Sequence, residues 1–224
     1  MKSRDTQQVL AAAQRLAKAA PDDQPADVGR ALVGAMADRN PAVQRAAIQA
    51  LAVWTVPEAE QPVIAAMSGR TSPFVARDAL AVLAKLKTPG AARAAAAMLT
   101  DPHVRREAGS VLRAIGPVAE AVTIPHLKST DHWVVSEACD VLAEIGGPKS
   151  FEAIKEQMVE RRRPHEQHQF NRALDAIERR GARYQAEPAA LPSPGPASDA
   201  VMRTWHDATR SFQVEAQFLK FENG

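Results

Sequence analysis

The sequence predicts an all-α fold, a right-handed α-solenoid of about five stacked helix pairs. Three observations predict it. The first is a phrase that returns about every thirty residues. It reads Asn40-Pro41-Ala42-Val43 with Ala47, Leu51 and Trp54, then Ser72-Pro73-Phe74-Val75 with Ala79, Leu83 and Leu86. It returns as Asp101-Pro102-His103-Val104 with Ala108, Leu112 and Ile115, and as Asp131-His132-Trp133-Val134 with Ala138, Leu142 and Ile145. The steps from Pro41 to Pro73, Pro102 and His132 are 32, 29 and 30 residues. Self-similarity at such a period marks an array in which each unit buries its apolar face against its neighbours. The second observation is the spacing inside each copy, where the apolar residues fall 4, 4 and 3 apart, one face of an α-helix. The third is composition. The chain is 46% hydrophobic but rich in alanine, only 4% aromatic, and holds 11 glycines in 224 residues, a profile of close-packed helices.

The elements follow in order. Val9, Ala13, Leu16 and Ala17 predict a first helix, paired with one over about 27–37. The first full copy opens at Pro41, and its second helix runs from about Glu58 to Met67 behind Pro57. In the next copy Ser72 or Thr71 is placed to cap a helix that starts at Pro73, where proline loses no useful hydrogen bond. Lys87-Thr88-Pro89-Gly90 breaks that helix, and a partner over 91–99 follows. Gly116-Pro117 and Gly146-Gly147-Pro148 end one helix and start the next, leading into segments that reach about Lys128 and Arg161. Alanine in one repeated column (Ala47, Ala79, Ala108, Ala138) lets adjacent helices approach closely. Phe170, Leu174 and Ile177 lie 32 residues after Ala138, Leu142 and Ile145 and predict a degenerate fifth copy acting as a polar cap.

The helical array is therefore expected over residues 5–181, a Pro/Ala-rich disordered linker over 182–200, and an incomplete β module over 201–224. In the last segment Phe212, Val214, Ala216 and Phe218 alternate with polar residues, a strand pattern, and Asn223-Gly224 is a hairpin-turn pair. A lone strand with an open turn is not stable by itself, so the natural protein is expected to continue past Gly224.

The formal net charge of +2 points to neither nucleic acid nor membrane. No run of about 18 apolar residues is present, and the first residues lack the apolar stretch of a signal peptide, so the location is expected to be cytoplasmic or is left unknown, unless the chain was cut from a longer anchored protein. Cys139, the single cysteine, reads as a small buried hydrophobe in the column of Ile48, Leu80 and Gly109.

The pattern Pro-x-Val…Ala…Leu…Leu/Ile with paired helices resembles the HEAT-repeat family over residues 5–181, and its short period resembles the bacterial HEAT-like subclass. Members often carry a basic residue directly after the valine. Only Arg105 does so here, the other positions being Gln44, Ala76 and Val135. The tail Arg203-Thr204-Trp205-His206-Asp207 with Phe212-Gln213-Val214-Glu215-Ala216-Gln217-Phe218 is similar to the opening of the Sla homology domain of the first type. That resemblance implies the start of an SH3-like small barrel that binds a peptide or protein.

The residues offer few chemical constellations. There is no Gly-x-Ser-x-Gly, no Walker loop and no Gly-x-Gly-x-x-Gly, and no catalytic residue is assigned. His165 and His168 stand three apart, but two ligands do not make a zinc site, and neither metal nor cofactor is expected. Glu152, Glu156 and Glu160 form an acidic face that Lys149 and Lys155 can pair. The candidate partner-binding residues are Phe74 and Trp133, large aromatics recurring in one repeat column, and the run Arg161-Arg162-Arg163 at the array's end. The expected function is a non-catalytic scaffold or adaptor for protein partners. A chromophore-lyase-like role and nucleic-acid or phosphate binding through the basic cap are the alternatives, the latter weakened by interleaved Glu166, Asp175 and Glu178.

Overall fold

The computed structural model describes residues 2–19, 25–67, 72–161, 164–186, 202–206 and 213–217. The chain divides into two compact units, Met1–Gly181 and Ala182–Gly224.

The first unit is an α-solenoid. It opens with α1 (Lys2–Leu16) and α2 (Pro25–Ala35), followed by α3 (Pro41–Leu51) and α4 (Glu60–Ala66). Then come α5 (Pro73–Leu86) with α6 (Pro89–Ala97), and α7 (Arg105–Ile115) with the single turn α8 (Glu120–Thr123). The last elements are α9 (His132–Ile145), α10 (Pro148–Glu160) and α11 (Pro164–Ala186). Helices α1, α3, α5, α7 and α9 pack side by side in one layer, while α4, α6 and α8 follow one another in a second. Helix α11 continues to Ala186, past the expected boundary at 181; the rest of the expected linker, 187–200, lies outside the described residues.

Side-chain caps set the starts of α3, α6 and α9. Asn40 accepts from the N–H of Ala42 at 2.9 Å, and Asp131 from that of Trp133 at 2.8 Å. Thr88 Oγ1 accepts from Ala91 N–H at 3.0 Å and donates to Glu60 at 2.7 Å, so it joins two repeats while capping α6. Ser72 holds the cap position of α5, yet its side chain makes no capping bond; Thr71 lies outside the described residues. The third copy departs further. Asp101 accepts from His103 N–H at 2.9 Å, but Pro102, His103 and Val104 form a turn and α7 starts only at Arg105. The cause is Arg105, which turns inward. Its Nε donates to the carbonyl of Leu99 at 2.7 Å, an acceptor left over where the preceding helix ends.

Helix ends follow the same logic. Lys87 adopts a left-handed conformation (φ 53°) and Pro89 forbids continuation, so α5 stops there. Pro125 has no N–H to give, and the segment Ile124–Lys128 is a 3₁₀ helix instead of the expected continuation of α8.

The repeated columns form the core. Ala47, Ala79, Ala108 and Ala138 are fully buried, as are Leu51, Leu83, Leu112 and Leu142. Val43, Val104 and Val134 are buried too, whereas Val75 is only half-buried because it borders an open groove beside α1 and α3. Trp54 is buried, and its indole N–H donates to the carbonyl of Leu16 at 2.9 Å, tying α1 to the end of α3. Each fully buried leucine contributes about 1.5–3 kcal/mol.

A polar ladder crosses the first layer, and its first two arginines, Arg45 and Arg77, stand one residue beyond the position the family pattern suggested. Arg45 pairs with Asp78 at 3.0 Å, and Gln49 donates to the same carboxylate at 3.0 Å. Arg77 pairs with Glu107 at 2.8 Å, Arg113 with Glu137 at 3.1 Å, and Arg172 with Asp140. Apart from the more enclosed Arg113–Glu137, these half-exposed pairs are individually worth about 0.2–1 kcal/mol, so their main effect is to fix the register between repeats.

In the second unit β1 (Met202–His206) pairs antiparallel with β2 (Gln213–Gln217), Trp205 standing opposite Val214. The alternating segment therefore has a partner strand, which corrects the expectation of a lone strand. Phe212, Phe218 and Asn223-Gly224 lie outside the described residues.

Candidate functional site

The residue after the opening position of each repeat faces outward, so Ala42, Phe74, His103 and Trp133 are all exposed on one rim of the first layer. Phe74 is 58% exposed and Trp133 62%. An aromatic side chain carries a large apolar surface, and leaving two in water at matching places in an array is a standing cost unless they meet a partner.

Both rings are held from below. The Arg45 guanidinium lies 5.3 Å from the centre of the Phe74 ring, a cation–π contact, while its Nε pairs with Asp78. The Trp133 ring lies 4.6 Å from that of His132, tilted by 41°. Trp133 N–H donates to Asp131, and the other oxygen of Asp131 receives Nη2 of the buried Arg105 at 2.7 Å. The Trp133 N–H bond, with Arg105 behind it, outweighs burial and holds the Asp131 carboxyl below the usual carboxylate range. His103 lies between the two aromatics, its carbonyl accepting from Arg77 at 2.9 Å, and Arg106 follows one turn later, exposed. The rim thus presents two exposed aromatic rings, each with a charged or aromatic neighbour beside it.

The third candidate cluster behaves differently. Arg161 is half-buried; its Nη2 donates to the Ser129 carbonyl at 2.6 Å and its Nη1 lies 3.5 Å from Glu166. Arg162 and Arg163 lie outside the described residues. Further along, Arg180 donates to the carbonyls of Ala143 at 2.8 Å, Gly146 at 2.6 Å and Glu144, three acceptors at the C-terminal end of α9. Arg161, Arg172 and Arg180 thus knit α11 to its neighbours, whereas Arg179 bonds to the Asp175 carbonyl within α11.

Other titratable groups are explained by packing. Burial pushes the Cys139 thiol up to about 12 and lowers the half-buried His126. Glu120 accepts from Gly147 N–H at 2.8 Å and from Ser150 N–H and Oγ at 3.1 and 2.7 Å, capping α10 from the previous repeat. Burial alone would raise this carboxyl, but those bonds hold it below its ordinary value. On α10, Lys155 reaches Glu152 at 4.0 Å and Glu160 accepts from Gln157 at 2.8 Å. His168 is exposed, and the side chain of His165 lies outside the described residues. Among the described residues no three His, Cys, Asp or Glu side chains converge.

Two shallow grooves border the first layer. One, of about 530 Å³, is lined by Leu10, Gln14, Ala42, Arg45, Gln49 and Val75 and adjoins the rim. The other, of about 370 Å³, lies among Val33, Met36, Ile48, Pro62 and Ala65.

Residues 29–116 match the HEAT repeats. Residues 193–224 match SLA1 homology domain 1. No curated protein matches the chain. Among solved structures, a designed armadillo repeat protein in complex with the peptide (KR)4 is 19% identical, with a TM-score of 0.47 over 76% of this chain and 92% of that one. A computationally designed armadillo repeat protein for modular peptide recognition is also 19% identical, with a TM-score of 0.48 over 78% and 95%. Among the described residues, no helix is long and apolar enough to cross a membrane.

The arginine ladder was the feature the sequence reading missed. Its signal was present: arginine four residues after each of Pro41 and Pro73, and a carboxylate five residues after the start of the following copy.

Proposed function

We propose that this protein is a non-catalytic scaffold that binds a protein partner along the rim of its first helix layer, with Phe74 and Trp133 as anchors. The observation that carries this reading is their shared repeat column combined with their exposure, 58% and 62%. Two repeat steps at an interaxial spacing of about 8–10 Å separate the rings by about 20 Å. An extended segment covers that span in about six residues. The partner is therefore an extended polypeptide with two bulky apolar side chains about six residues apart, its backbone passing His103 and Arg106. The matched SLA1 homology segment supports a second binding module, the opening of an SH3-like barrel, on the same chain. Arg162 and Arg163 remain candidates for auxiliary contacts, while Arg161 is better suited to holding α11. Nucleic-acid binding through that cap is the weaker reading, since Arg161, Arg172 and Arg180 already face internal acceptors.

The test is selection of displayed random twelve-residue peptides on the full chain, followed by calorimetric titration of those recovered. Phe74→Ala and Trp133→Ala should each weaken binding at least tenfold. Recovered peptides that bind the double variant unchanged would overturn the assignment of the site, and recovery of none would overturn the scaffold reading.

A further inference from the structure

We propose that the solenoid opens at the boundary between its third and fourth repeats, where Glu137 fills the space left by Gly109, and that residues 127–177 part there as a cooperative unit. This goes beyond the binding role and stands independently of it. In a repeat array stability is a sum of unit terms and nearest-neighbour interface terms, so opening occurs at the weakest interface.

The apolar interior divides at α9, the helix that follows this boundary. Buried apolar residues from Ala13 to Val141 form one cluster, while Leu127, Val135, Cys139, Ile154, Phe170 and Ile177 belong to a second. Helix α9 serves both. It gives Val134 and Val141 to the first cluster and Val135, Ala138, Cys139 and Leu142 to the second, so it travels with the second. The other layer divides at the same level. Val122 packs on the first cluster and Ile124 on the second, next to the 3₁₀ stretch around Pro125. A 3₁₀ interruption of this kind is a common place for a helix layer to bend.

The local chemistry explains the weakness. The column after the buried alanine holds Ile48, Leu80, Gly109 and Cys139. In the third copy the side chain is missing, and a Cβ added to Gly109 would overlap Oε1 of Glu137. A carboxylate, 13% exposed, thus stands where the other repeats place apolar atoms. Arg113 pairs with it at 3.1 Å and also reaches Glu144 at 3.4 Å; Arg106 on α7 and Asp140 on α9 complete its charged surroundings. Burial nevertheless keeps the Glu137 carboxyl above its usual range. A buried ion pair commonly holds an interface less firmly than apolar side chains of the same volume. The remaining described ties across the boundary include Arg105 to Asp131 and Glu120 to Ser150, both polar. Phe74 stays with the first block and Trp133 moves with α9, so opening alters the distance between the two rim aromatics.

The experiment is native-state hydrogen exchange by mass spectrometry on the full chain in rising, sub-denaturing urea. Amides in α10 and in α11 up to Ile177 should exchange through an opening at least ten times more populated than that of α3 to α6. Glu137→Leu fills the Gly109 space with apolar atoms and leaves Arg113 its contact with Glu144; it should slow exchange over 127–177 at least tenfold and leave 41–100 unchanged. Val141→Ala removes an apolar contact across the boundary and should speed the same segment. One opening shared by both blocks, or variants that shift both blocks equally, would overturn the proposal; should Glu137→Leu not fold, Val141→Ala decides alone.

Discussion

Trp54 and Trp133 illustrate how one residue type takes different duties from its place in the repeat. Trp54 stands in the turn just after α3 and is buried, with its indole N–H on the Leu16 carbonyl. Trp133 begins α9 and is mostly exposed. Trp54→Ala is expected to cost about 3–5 kcal/mol, since it opens a cavity and orphans a carbonyl. Trp133→Ala should stay within about 0.5 kcal/mol, as exposed substitutions generally do. Urea unfolding of the two variants measures both, and a large loss from Trp133→Ala would assign that ring to stability instead of binding. Glu120 sets a pH dependence at the same scale. Its folded pKa lies below the unfolded one, so its contribution is present above the ordinary glutamate range of about 4.3 and is lost as pH falls through the folded value. Glu120→Gln should flatten the acid limb of the stability–pH curve; an unchanged limb would show that the cap on α10 is energetically silent.

At the scale of the element, how much the sequence revealed depended on how local the cause was. Proline at the first helical position and the 4-4-3 apolar spacing are written in consecutive residues, and α3, α5 and α9 begin and face inward as that spacing predicts. The late start of α7 was hidden, because its cause is a long-range bond from Arg105 to a carbonyl six residues earlier and to Asp131 in the next repeat. The half-exposure of Val75 was hidden for a similar reason, since a groove beside a neighbouring helix decides it. The rim aromatics were legible as a column, but their exposure depends on whether the preceding repeat covers them, which no spacing reveals. The turn after α5 yields its own prediction. Lys87 holds φ 53° without being glycine, a conformation that costs an L-residue about 1–2 kcal/mol. Lys87→Gly should therefore stabilise the chain by about 0.5–1 kcal/mol after its larger unfolded-state entropy is subtracted, measured as a raised urea midpoint. A lowered midpoint would mean that the lysine side chain contributes more than its backbone strain removes.

Over the whole molecule, a stack joined only by neighbouring interfaces responds to damage locally. Leu83 lies deep in the first cluster and Phe170 in the second, both fully buried. Either one replaced by alanine loses about 2–5 kcal/mol from its own block. The consequences differ because the boundary beside Gly109 couples the blocks weakly. Phe170→Ala lowers the stability of the fifth and fourth repeats below that of the first three, so urea should melt the chain in two steps. The first step should remove the helical signal of α9 to α11 and expose Cys139, whose thiol is buried in the folded chain and should react with a disulfide reagent only after that step. Leu83→Ala weakens the larger block instead, bringing the two stabilities together and sharpening the transition. Circular dichroism and thiol labelling followed across the same urea series separate these outcomes. A single step for Phe170→Ala, with Cys139 labelled only as α3 and α5 melt, would mean that the array behaves as one cooperative body and that the carboxylate between α7 and α9 does not divide it.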